Sequence, residues 1–230
     1  YVGMLQPMFP DIAGHLIAAS VMSPPAALVI GKIMFPETET PVTGADTKME
    51  HIKEDINVLD AASRGAAEGL MLALNVGAML LAFIALIALA NAIIALPQEL
   101  VTDTPYTLQQ ILGYLFAPIA WIMGVPWEDC MDIGRLLGVK MVVNELVAYA
   151  DLQTMLADTT RAKPLADRSV IIATYALCGF ANFGSIGIQL GGIGGIAPAR
   201  KHDLAKIALR AMIAGTIAAF MTATIAGILV

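Results

Sequence analysis

The chain has 230 residues, 58% of hydrophobic type and only 14% charged, where an ordinary soluble domain carries about 25% charge. With a mean hydropathy of +0.75, it lacks the charge to cover a soluble surface, and the bilayer is its natural solvent. A formal net charge of −6 and a pI near 4.9 exclude the basic face that nucleic acid requires.

The opening residues from Tyr1 include the turn-rich Gln6-Pro7-Met8-Phe9-Pro10 and no basic leader. They predict a sequence truncated at its N-terminus. The first segment, 12–34, is apolar but interrupted by Ser20, Ser23 and the pair Pro24-Pro25. Each proline removes a backbone donor, so the pair predicts a helix broken midway. Two meanings are open: a structural kink, or a break that lines a cavity. The polar stretch 35–68 has more acids than bases and predicts an extramembrane loop with a short amphipathic helix at its end.

Residues 69–96 carry no charge. At about 1.5 Å per residue they would reach about 42 Å, enough for a tilted span. Asn75 and Asn91 are its main polar side chains, and Pro97 is expected to end it. A third span is expected over 106–125, with Pro118 inside and Trp121 and Trp127 near its end, suited to a membrane interface or a packed bundle. The region 127–156 mixes apolar runs with Glu128, Asp129, Asp132, Arg135, Lys140, Asn144 and Glu145. It is too polar to face lipid and too apolar for a loop, and predicts a re-entrant helical hairpin. A polar loop, 157–168, follows.

The fifth segment, 169–196, begins as a helix and then turns glycine-rich, predicting an interior break near Gly179–Ser185. Close helix packing through glycine is the alternative. After the basic turn Pro198-Ala199-Arg200-Lys201-His202, a last span covers 204–230, where Gly215 and Gly227 permit close packing. The positive charge near 200–210 places that turn in the cytoplasm and the acidic 35–68 loop outside. The turn 97–105 has no Lys or Arg and gives this topology no support. Cys130 and Cys178 read as small hydrophobes, and His15, His51 and His202 as boundary or loop residues without metal-ligand spacing.

Paired interrupted segments are a sequence pointer to the midplane site of a secondary transporter. Glu145 is the sharper signal, because a charge at membrane depth costs about 2.5–3.5 kcal/mol on insertion scales. A structural pair with Lys140 or Arg135 would explain it; so would an acceptor for hydroxyl donors or for a cation. Lys140 reads as a hairpin stabiliser. Nothing beside Glu145 supplies a nucleophile, so an enzyme is not expected.

Gly138-Val139-Lys140-Met141-Val142-Val143-Asn144-Glu145-Leu146-Val147-Ala148-Tyr149 closely resembles a signature of concentrative nucleoside transporters, with Leu146 in place of the usual Phe. The runs Ala176–Ile188, Ala18–Ala26 and Pro198–Asp203 resemble further motifs of that family, although many members have Ala where Pro24 stands. The matches span nearly the whole chain. The resemblance implies an all-α, polytopic membrane transporter with a re-entrant hairpin and discontinuous helices. It implies a homotrimer in the plasma (inner) membrane, moving nucleosides inward with sodium or protons by an elevator motion, with 106–125 as a scaffold span and no organic cofactor. Glu145, Asn182 and Ser185 would then bind ribose, with Phe180 lining the pocket and Asn144 beside it. Ser20 and Val21 would contribute to a sodium site, mainly through backbone carbonyls. The first hairpin, which in the family reads the nucleobase, would lie upstream of Tyr1. A nucleoside-binding membrane regulator that does not transport is the rival expectation.

Overall fold

The computed structural model describes residues 1–38, 56–98, 106–160 and 163–230. Residues 39–55 of the acidic stretch, with His51, and residues 99–105 of the turn after residue 97 lie outside them, as does the Asn75 side chain. All regular elements among the described residues are helical: α1 (Val2–Leu5), α2 (Ile12–Met34), α3 (Val58–Gln98), α4 (Leu108–Ile122), α5 (Cys130–Val142), α6 (Glu145–Ala157), α7 (Asp167–Leu177), α8 (Phe183–Ile196) and α9 (Lys201–Leu229), with single 3-10 turns at Trp127–Asp129 and Pro198–Arg200. Among these residues, α2 and α9 are long and apolar enough to cross a bilayer.

The expected break in the first segment does not occur, because α2 runs unbroken through Pro24 and Pro25. Proline's fixed φ is itself helical, so the pair deletes donors without forcing the chain out of the helix. Covalent structure alone therefore leaves the Ser20 and Val21 carbonyls without the N–H groups four residues on. Ser20 and Ser23 donate their hydroxyls to the carbonyls of Leu16 (2.8 Å) and Ala19 (2.7 Å), one turn earlier. His15, expected at a boundary, lies in the first turns of α2, its ring 5.3 Å from Phe9 and 5.7 Å from Tyr175.

The expected second span and the short helix before it form one helix, α3. Its Asn91 ties it to the start of α4, accepting from the Leu108 N–H (2.7 Å) and donating to Gln109 (3.1 Å). Thr107 and Gln110 cap α4 reciprocally, satisfying donors that the helix start would otherwise orphan. Trp121 and Trp127 are both exposed.

The hairpin expected over 127–156 forms as α5 and α6, joined by a turn at Val143–Asn144. α4 lies close against α5, at a separation set by glycine. A Cβ on Gly134 would stand 2.6 Å from the Gly113 carbonyl oxygen and 2.7 Å from the Ala117 nitrogen. On the other side α5 meets α7, and α7 meets α9. Ile133, Leu136, Leu137, Leu152, Ile172 and Ala223 are fully or almost fully buried in that core. Gly227 permits the same kind of approach, since a Cβ there would come within 2.9 Å of the Met123 carbonyl oxygen. The last span begins a little earlier than expected, at Lys201. The end of the core opposite the hairpin tip is pinned by polar contacts. Asp129 accepts from the Ala166 N–H (3.1 Å) and the Ser169 hydroxyl, while Arg168 donates to the Gly124 carbonyl (2.9 Å).

Candidate functional site

The fifth segment breaks where its sequence changes character. α7 ends at Leu177, residues 178–182 are non-helical, and α8 starts at Phe183. Gly179 takes φ +150° in this turn, a conformation that disfavours side chains. Asn182 then caps α8: its side-chain oxygen accepts from the Ser185 N–H at 2.8 Å, and Ser185 Oγ accepts from the Asn182 N–H at 3.2 Å. The Ser185 hydroxyl donates to the Asn182 carbonyl at 2.6 Å. The expected break near Gly179–Ser185 is thus present, with Ser185 inside the new helix and not in the gap.

The hairpin tip meets this break. Glu145, the first residue of α6, is 2% exposed. Its Oε2 accepts from Asn182 Nδ2 at 3.1 Å and its Oε1 from the Tyr1 hydroxyl at 3.0 Å. Two further side chains of the hairpin reach the other lip. Lys140 of α5 donates to the Ala176 carbonyl (2.7 Å), and Tyr149 of α6 donates to the Thr174 carbonyl (2.7 Å). Both carbonyls belong to the last turn of α7: that of Ala176 is one of the acceptors a helix end leaves without a donor, while that of Thr174 also takes the Cys178 N–H at 3.2 Å. The pattern is electrostatically consistent: an ammonium stands at the negative C-terminal end of α7, and a carboxylate faces the positive N-terminal end of α8.

Neither structural pairing open to Glu145 forms. Lys140 is engaged with Ala176, and Arg135 stands 4.0 Å from Asp151. Glu145, Asn182 and Ser185 come together and are all buried. Asn144 is placed differently: it caps α6, accepting from the Val147 N–H at 3.0 Å, and so fixes the helix start that presents Glu145. Phe180 is 61% exposed and lines a pocket of about 440 Å³ between α2, the break, α8 and α9, together with Ser23, Gly179, Ser185, Gln189 and Met212. Ser20 is on α2, with its hydroxyl beside the Cys178 thiol, and Val21 is largely exposed. Cys130 and Cys178 are free thiols.

Tyr1, Tyr149 and Gln189 join the site without having been expected there. Tyr149 lies inside the quoted motif and was legible as part of it. The Tyr1 ring stacks on Tyr149 with centroids 4.5 Å apart, a contact between chain-distant residues that no local pattern announces.

Residues 15–227 match the family described as the C-terminus of Na+ dependent nucleoside transporters. The transporter YutK of Bacillus subtilis is 46% identical over 217 residues, covering 94% of this chain and 52% of the relative. Solute carrier family 28 member 3 of Mus musculus is 44% identical, covering 94% of this chain and 32% of the relative. Nucleoside permease NupC of Helicobacter pylori is 38% identical, covering all of this chain and 56% of the relative. Among solved structures, CNTnw in an inward-facing substrate-bound state superimposes with a TM-score of 0.79 at 43% identity, covering 93% of this chain and 49% of that one. A CNTnw variant in an outward-facing state gives a TM-score of 0.81 at 42% identity, covering 93% of this chain and 51% of that one. The chain spans about half the length of YutK and of CNTnw. The all-helical architecture is that of these transporters, and the chain belongs to the family of Na+-dependent nucleoside transporters, matching its C-terminal part.

Proposed function

We propose that the full-length protein carries nucleosides across the plasma (inner) membrane in symport with a cation, and that this chain supplies the ribose end of the substrate site. The observation that carries the reading is the buried Glu145 carboxylate, held on one oxygen by Asn182 and accepting a hydroxyl donor on the other. An ionised carboxylate only accepts hydrogen bonds, so it suits a ligand rich in hydroxyl donors. In this reading the Tyr1 phenol occupies the kind of position that a sugar hydroxyl takes. Ser185, bonded to Asn182, and Phe180 line the neighbouring pocket, which the Glu145 side chain does not line, and Asn144 orients Glu145.

Sodium is the preferred coupling ion over the proton, in keeping with the family description. The Ser20 and Val21 carbonyls, deprived of helical donors by Pro24 and Pro25, are oxygen ligands of the type that discontinuous or donor-poor helices offer a cation. Coupling then requires that the cation favour the substrate-competent state. A homotrimer whose hairpins move as elevators is the assembly we propose.

The test is uptake of uridine or adenosine into proteoliposomes by the full-length protein and its Glu145→Gln variant. Removing a charged acceptor from buried hydrogen bonds should lower uptake by about 10- to 100-fold. Undiminished uptake would remove Glu145 from the site. Nucleoside counterflow, expected for the unsubstituted protein, separates transport from binding alone.

A further inference from the structure

Lys140 is a buried charge for which the proposed reaction has no use. It is 2% exposed, at a depth where a bare ammonium is costly. Its Nζ donates to the Ala176 carbonyl at 2.7 Å, and a Cβ on Gly179 would stand 4.0 Å from it. The ammonium therefore lies against the turn that separates α7 from α8. Glu145 takes direct hydrogen bonds from Tyr1 and Asn182 at the α8 lip of the same break, so Lys140, on the α7 lip, acts on it through space. Arg135, the other cation of the hairpin, faces Asp151.

We propose that Lys140 is a positioning residue for the sugar end of the substrate. It holds the cut end of α7 against the hairpin and supplies the countercharge that keeps the Glu145 carboxylate available to accept ribose hydroxyls. A buried carboxylate stripped of its countercharge is a strongly disfavoured species. Losing the ammonium therefore weakens the hydroxyl-accepting function in particular, beyond any loosening of helix packing. This inference rests on the reading of Glu145 as hydroxyl acceptor.

The experiment measures binding of uridine or adenosine, and of the matching 2',3'-dideoxynucleoside, to the full-length protein in nanodiscs. Lys140→Met keeps the apolar stem and deletes the charge. It should weaken the ribonucleoside by about tenfold or more and leave the dideoxy analogue within about twofold. Added to Glu145→Gln, it should change ribonucleoside affinity by no more than about twofold. A packing role alone would weaken both ligands equally and persist in the Glu145→Gln background; either result overturns the proposal. If Lys140→Met does not yield folded protein, Lys140→Arg decides: a retained preference for the ribonucleoside supports the countercharge, and its loss overturns it. Should Glu145→Gln alone leave ribonucleoside affinity unchanged, the substrate site itself is misassigned and this proposal goes with it. If Glu145→Gln weakens binding but Lys140→Met does not discriminate, only the role of Lys140 fails.

Discussion

α2 and the α7–α8 pair both carry residues that oppose helix formation, and they respond in opposite ways. In α2, two adjacent prolines delete two hydrogen bonds and the helix continues through them. Between α7 and α8, Gly179 and Asn182 leave the helical region altogether, and the chain starts a new, capped helix. The difference lies in which dihedral each residue prefers. Proline removes a donor but keeps a helical φ, whereas glycine permits positive φ and asparagine prefers a cap to a helix interior. Both devices free backbone groups at depth, but only the second creates two helix ends whose partial charges face one another. That is where the hairpin places Lys140 and Glu145.

The largest effect should come from the cap that defines the second device. Asn182→Ala removes the acceptor for the Ser185 N–H and the donor to Glu145. Together these should cost about 2–4 kcal/mol of stability, measurable as a lower unfolding midpoint of the purified full-length protein, with ribonucleoside affinity falling in parallel. Unchanged stability would mean that the break does not depend on its cap.

Gly179→Ala tests the turn itself. A Cβ there meets only ordinary neighbours, Ala219 Cβ at 3.9 Å and Lys140 Nζ at 4.0 Å, so there is space for it. The penalty is conformational, about 1–3 kcal/mol for a side chain at φ +150°. The same unfolding measurement reads it, and a neutral result would show that the turn relaxes to another conformation.

Much of this contrast was readable from the residues, and the errors have physical causes. The hairpin announced itself by charge density too high for a lipid-facing helix, and Glu145 by the cost of burying it. The α7–α8 break followed from glycine and asparagine chemistry. The break assigned to α2 failed because counting lost donors is not the same as finding a non-helical dihedral. The pairings considered for Glu145 failed for another reason. They used residues close in sequence, while Lys140 reaches Ala176 and Glu145 reaches Asn182, each more than thirty positions along the chain. Tyr1 on Tyr149, and the Gly134 contact with the α4 backbone, are likewise products of tertiary packing.

The mildest perturbation asks whether an unbroken helix still does the work of a broken one. Pro25→Ala returns an N–H to the position where it faces the Val21 carbonyl, and α2 already has the helical path to accept it. The gain should be small, about 1 kcal/mol for one net hydrogen bond, visible as a modest rise in the unfolding midpoint. If the freed carbonyl is a cation ligand, stability and coupling move in opposite directions. The carbonyl engaged within the helix has less to offer sodium, and the sodium concentration for half-maximal uptake rises. Were the midpoint to rise with sodium dependence unchanged, the prolines would be a packing feature of α2. The cation would then have to be held elsewhere, and the likeness between the two devices would end at their sequences.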